Sequence, residues 1–198
     1  MNKTVYELNT IDQIKGDDLI PVYDLSEAGA EKLKKVRVEN LFWEYDSIVN
    51  TTSGTQITLT TSIPSGANTV EVIMNGVSTG TNNQPPIIRL GDAGGVEPTG
   101  YVCVVRGPTG ETSVTDGFYT FRTNAWNASD ILSGRFRLTR WDNSLNLWLS
   151  DGLAQDSSNL SVSSGRKTLT QELTTVVITT PGGAASFDLG SARVRWMG

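Results

Sequence analysis

The chain has 198 residues, 37% hydrophobic and 19% charged, which suffices for one sizeable core and is short for two. Lys+Arg number 16 against 21 Asp+Glu, a net charge of −5, which argues against a surface built to wrap a phosphate backbone or coat an anionic membrane. The absence of histidine removes Ser-His-Asp and Cys-His nucleophile systems, His-ligated zinc and imidazole proton relays together.

In chain order, the start Met1-Asn-Lys-Thr-Val-Tyr-Glu7 has no apolar centre of a secretory signal, so synthesis and retention in a cytoplasm are expected. No run approaches the roughly 18 apolar residues of a membrane helix. Residues 1–50 hold much of the charge and read as an extended arm. Within them, Ser26 to Lys35 is compatible with a helix of about two or three turns. Beyond residue 50 the composition turns to Thr, Ser, Gly, Val and Asn, with short β-favouring runs between Gly, Pro, Asn and Asp clusters.

The predicted strands there are Gln56–Thr60, Thr69–Met74, Ile87–Leu90, Gly100–Val105 and Gly117–Phe121. Gly134 to Arg140 alternates most cleanly, with Arg135, Arg137 and Thr139 on one face and Phe136 and Leu138 on the other. Leu145–Leu149 reads as its hairpin partner across Asp142-Asn-Ser144. Thr174–Thr180 reads as a buried strand, followed by Pro181-Gly-Gly183, Ser186–Leu189 and a last alternating strand Ala192–Met197. The expected architecture is all-β: a jelly-roll-like antiparallel β-sandwich over 51–198 preceded by an N-terminal extended arm over 1–50.

Few residues carry chemistry. Cys103, the single cysteine, lies in Tyr101-Val-Cys-Val-Val105 and reads as a small buried hydrophobe. Asp92, Asp116, Asp142, Asp151 and Asp156 lack the spacing of a calcium loop and read as turn formers. Gly91-Asp-Ala-Gly-Gly95 has no following Lys-Ser/Thr and opens no helix, so it is a turn and not a phosphate loop. No catalytic residue, metal ligand or cofactor site stands out, and the expectation is a protein that is not an enzyme and takes no cofactor.

The tryptophans divide. Trp148 and Trp196 sit in alternating strands and read as core or subunit interface, whereas Trp126 and Trp141 lie among polar loop residues and are the candidate glycan contacts, with interface packing the leading alternative for both. Arg135, Arg137, Arg193 and Arg195, with Trp196, form a candidate subunit interface, their guanidinium groups reaching carboxylates of a neighbour. A solvated outer sheet face is the alternative reading.

Two segments carry a resemblance. Ile11-Asp-Gln-Ile-Lys-Gly-Asp-Asp-Leu-Ile-Pro-Val-Tyr-Asp24 with Lys35-Val-Arg-Val-Glu-Asn-Leu41 resembles the N-terminal arm of many tailed-phage virion proteins. Val70 to Thr79, Ile88 to Tyr101, Gly117-Phe118, Trp148, Thr174 to Thr180 and Phe187 to Ser191 resemble a β-sandwich module at the C-terminus of phage decoration proteins, head fibres and tail fibres. The resemblance implies a structural protein on the virion exterior, made in the host cytoplasm. It points to a capsid decoration (cement) protein that stabilises the shell as a homotrimer. Its partners would be the major capsid protein or another virion protein and further copies of itself, with no nucleic acid and no membrane.

An arm carrying Val5, Leu8, Ile11, Ile14, Leu19, Ile20, Val22 and Tyr23 has apolar side chains and backbone groups that need a partner, so capsid docking by strand addition is expected. Folding back as an extra strand of its own sandwich is the alternative. The second functional expectation is a tail-fibre or head-fibre tip that binds host-surface carbohydrate through Trp126 and Trp141.

Overall fold

The computed structural model describes residues 19–23, 33–37, 43–142, 144–156 and 158–198. The chain divides into two compact units, one holding residues 1–43 with 197–198 and the other Glu44–Trp196. In the first, β1 (Leu19–Tyr23) pairs antiparallel with β2 (Leu33–Arg37), Leu19 opposite Arg37 and Tyr23 opposite Leu33. The helix expected over Ser26–Lys35 is not formed at its C-terminal end. Leu33, Lys34 and Lys35 are in β2, where ladder bonds to β1 replace the local bonds of a helical turn. The docking expectation for Val5, Leu8, Ile11 and Ile14 lies outside the described residues; Leu19, Ile20, Val22 and Tyr23 are the residues of β1.

The second unit is an all-β sandwich of two antiparallel sheets, as the alternation and the turn residues predict. In chain order its strands are β3 (Glu44–Tyr45), β4 (Val49–Asn50), β5 (Gln56–Thr60), β6 (Thr69–Thr79), β7 (Ile87–Asp92), β8 (Gly95–Val96) and β9 (Tyr101–Gly107). Then follow β10 (Gly110–Val114), β11 (Phe118–Tyr119), β12 (Leu132–Asp142), β13 (Leu147–Gln155), β14 (Leu160–Thr168), β15 (Thr175–Thr179) and β16 (Phe187–Met197). The larger, nine-stranded sheet runs β10-β9-β14-β13-β12-β6-β16-β3, with β4 also on β16. The smaller, five-stranded sheet runs β11-β7-β15-β5, with β8 on β7. Because β3 and β4 pair with β16, the sheet takes in residues upstream of the expected boundary at 50.

Among the strands of five or more residues in this unit, two carry no expectation from sequence: β10, and β14, whose Leu160-Ser-Val-Ser-Ser-Gly-Arg-Lys-Thr168 is poor in β-branched and aromatic residues. Tertiary pairing supplies what propensity lacks, since β14 is laddered on both sides, to β13 and to β9.

The core fills from both sheets. Val70, Val72, Met74, Phe136, Leu138, Trp148, Tyr101 and Val194 point in from the larger sheet, and Ile57, Leu59, Ile88, Val176 and Ile178 are buried in the smaller. Tyr101 meets Phe118 edge to face at 5.0 Å between ring centroids. At one point the packing depends on a missing side chain. Phe136 lies directly opposite Gly152, and its ring covers the glycine so closely that an added Cβ would stand 2.1 Å from Cζ. Gly190 is required twice over, by φ +96° and by the Gly76 carbonyl oxygen 2.3 Å from where its Cβ would be.

The two sheets differ in how they meet water. In the smaller sheet Ile87, Ile88, Val176, Val177 and Ile178 are consecutive and all fully buried, so β7 and β15 are covered on both faces. The larger sheet instead alternates, buried and exposed residues changing places along β9, β12 and β14.

Candidate functional site

The outward face of the larger sheet follows from the register. One row crosses it as Ile73, Arg135, Leu153, Val162, Arg106 and Glu111, on β6, β12, β13, β14, β9 and β10. The next runs Glu71, Arg137, Asp151, Ser164, Val104 and Ser113. A third runs Thr69, Thr139, Leu149, Arg166 and Val102. Side chains in neighbouring rows and strands stand close enough to form one continuous surface.

That surface is apolar where three adjacent strands meet. Val102 and Val104 of β9, Leu160 and Val162 of β14 and Leu153 of β13 are each 40–57% exposed. Fully burying such a side chain is worth about 1.5–3 kcal/mol, so leaving each near half bare forgoes on the order of 1 kcal/mol. Single exposed aliphatics are ordinary; five on one face of three adjoining strands, with Val162 directly opposite Leu153, form a patch of the kind that marks an interaction surface. Arg106, Arg135, Arg137 and Arg166 stand exposed around it, with Asp151 and Glu111 as the exposed carboxylates of the same rows. At its lower border a groove of about 360 Å³ is lined by Ser133, Arg135, Leu153 and Leu160 among others.

On the β16 side the face is closed by charge pairing within the chain. Glu71 is fully buried although it faces outward, because β16 and β3 lay Arg195 and Tyr45 over it. Arg195 Nε donates to Glu71 Oε2 at 2.5 Å, its Nη2 contacts the same oxygen, and Nη1 donates to the Tyr45 hydroxyl at 3.0 Å. Arg137 Nη2 lies 3.9 Å from the other carboxylate oxygen, and Arg193 stacks over the Tyr45 ring at 4.6 Å. Burial works against the charge of Arg195, but the hydrogen bonds to Tyr45 and Glu71 and the Glu71 charge outweigh it and raise its pKa.

Of the candidate interface residues, the structure therefore brings Arg137 and Arg195 together on Glu71, leaves Arg135 free of a described ion pair, and stacks Arg193 on Tyr45. Trp196 does not share that face. It is half-buried against the core, and its Nε1 donates to Glu44 Oε2 at 3.2 Å.

The candidate glycan contacts separate as well. Trp126 is 1% exposed, packs against Phe121 at 6.0 Å between ring centroids, and donates from Nε1 to Thr79 Oγ1 at 2.9 Å. It is a core residue and no sugar can stack on it; its polar neighbours Asn124, Asn127 and Ser129 face water while the indole turns inward. Trp141, 70% exposed at the end of β12, keeps its ring open to solvent.

A second polar cluster lies at the surface around the buried Asp92 and Lys167. Asp92 accepts from Thr170 Oγ1 at 2.6 Å, from Gln171 N at 2.8 Å and from Gly94 N at 2.7 Å. The Thr170 hydrogen bond leads in holding its carboxyl below the usual range, against the opposing effect of burial. Glu97 takes Lys167 Nζ and the Thr170 amide, and Lys167 lies over the Tyr101 ring. These bonds tie the β7–β9 connection to the end of β14, so Asp92 does more than form a turn. Asp142 and Asp156 behave as expected, each capping the amides two and three residues on. Cys103 is buried, and burial pushes its thiol pKa up. Among the described residues no three His, Cys, Asp or Glu side chains converge to hold a metal ion, and no helix is long and apolar enough to cross a membrane.

Glu71 and the outward valines and leucines are the residues that sequence reasoning did not single out. The period of β9, Val102-Cys-Val104 between buried neighbours, carries a signal for two of them; no local pattern reveals a carboxylate buried from 124 residues away.

Fold and face together define an antiparallel β-sandwich with one sheet covered on both sides and one sheet whose outward face is exposed. Comparison with protein-family models, with curated proteins and with solved structures finds no match.

Proposed function

We propose that the chain is a structural protein of a tailed-phage virion exterior: a capsid-decorating protein that binds the shell and its own copies as a homotrimer. The observation that carries the reading is the outward face of the larger sheet, where exposed aliphatic side chains of β9, β14 and β13 share one surface with exposed arginines. A face of this kind suits protein association. The arm sequence, with its resemblance to virion arms, supports docking of residues 1–43 to a shell protein. Contacts formed only in the assembled shell stabilise it by mass action, since they bind the closed state and not its separated parts.

Quantitative mass spectrometry of purified particles tests this. A copy number comparable with the major capsid protein is expected; a few copies per particle would place the chain at a tail or single vertex and overturn the decorating role. The exposed ring of Trp141 supports the second reading, a fibre tip that stacks host carbohydrate on that indole. Binding on a multivalent glycan array that is lost in Trp141→Ala would establish it.

A further inference from the structure

We infer that the outward face of the larger sheet is a self-association surface, and that its occupant is an acidic surface of a second copy of this chain, bound head to tail. The inference deepens the reading above and rests on it for the number of copies.

Three observations carry it. The first is size. Six adjacent strands from β10 to β6, about 4.8 Å apart, with three outward rows about 6.7 Å apart, span about 550 Å² in projection. That is the order of the roughly 800 Å² that each partner contributes to a stable interface. The second is the apolar centre with the groove beside Leu153 and Leu160, which can take a side chain from the partner.

The third is charge. Four exposed arginines face two exposed carboxylates on this surface, on a chain whose total is 16 basic and 21 acidic residues, so the rest of the molecule is more acidic than the whole. Two such faces meeting each other would oppose guanidinium groups, which costs affinity. The same face meeting the acidic remainder of another copy matches in sign. A cyclic trimer requires this arrangement, because its contacts are heterologous: the patch a subunit offers differs from the patch it receives.

Sedimentation velocity and light scattering on the full chain test the inference, in about 0.1 M and about 1 M salt, where the screening length falls from about 10 to about 3 Å. A closed oligomer is expected at the lower salt, with at least about tenfold weaker association at the higher. Val104→Ser with Leu153→Ser removes aliphatic surface at exposed positions without changing charge, and is expected to give a monomer with an unchanged far-UV circular dichroism spectrum, whose thermal midpoint no longer depends on protein concentration. Arg135→Glu with Arg166→Glu is expected to weaken association by at least about tenfold and to flatten its salt dependence. Leu145→Ser, at the exposed β12–β13 turn, is the control that leaves the oligomer intact.

A wild-type chain that stays monomeric at about 0.1 M salt overturns the inference. So does an oligomer indifferent to the substitutions. A dimer that tightens on Arg→Glu replacement overturns the head-to-tail arrangement in favour of two like faces meeting. None of these outcomes depends on copy number in the virion, so the inference and the decorating role fail separately.

Discussion

Replacing Gly152 by alanine probes the tightest point of the core. The new Cβ would stand 2.1, 2.4 and 2.5 Å from Cζ, Cε1 and Cε2 of Phe136, where carbon atoms rest at about 3.5–4.0 Å. The ring must withdraw by about 1.5 Å, yet Phe136 is 1% exposed and shares the core with fully buried Leu138, so it has nowhere open to go. β12 and β13 are paired along nearly their whole length, which prevents the backbones from parting to make room. Overpacking costs typically 1–3 kcal/mol, and this geometry belongs at the upper end, about 3 kcal/mol. At about 2–4 °C per kcal/mol for a domain of this size, the thermal midpoint should fall by about 6–12 °C.

Urea unfolding followed by tryptophan fluorescence, with calorimetry as a check on two-state behaviour, measures the loss; the midpoint should move at constant m. In a Phe136→Leu background the smaller side chain leaves space, so the same alanine should cost at least about 1 kcal/mol less than in the parent. A Gly152→Ala cost below about 0.5 kcal/mol, the range of an ordinary surface change, would show that the ring does not cover the glycine and would refute the argument.

Further outcomes follow from the same geometry. Trp126→Ala should destabilise by about 3–5 kcal/mol, as for any large core aromatic, while Trp141→Ala should stay within about 0.5 kcal/mol, both read by urea midpoint. Glu71→Ala leaves Arg195 and Arg137 without their buried partner; because both guanidinium groups keep some contact with water, it should cost about 1–3 kcal/mol, still more than Asp151→Ala on the open part of the same row. The carboxyl of Asp92 titrates below the usual value of about 3.9 in the folded chain, so it favours the native state above about pH 4. That contribution is lost as pH falls through the lowered folded value. Asp92→Asn should therefore flatten the stability profile between about pH 4.5 and pH 2 in acid titrations. Cys103 should resist a thiol-reactive disulfide reagent in the native protein and react at once in urea; rapid native labelling would contradict its burial.

Much of this fold is legible along the chain because its causes are local. Strand period sets Arg135 and Arg137 opposite Phe136 and Leu138, whatever lies beside them, and the unbroken Val176-Val-Ile178 run reports a strand buried on both faces. Turn residues end the strands by their own backbone preferences. What the tertiary structure decided depends on partners far away in sequence. β14, weak in propensity, exists because β13 and β9 flank it, and only that order joins Val102, Val104, Val162 and Leu153 into one surface. Trp126 lies among polar neighbours that gave no sign of burial; Phe121 and the Thr79 hydroxyl draw its indole inward. Glu71 looks like a solvated strand residue until β16 and β3 lay Arg195 and Tyr45 across it. Periodicity encodes which way a side chain points, whereas strand order decides what meets it there, and that order is a property of the whole packed chain.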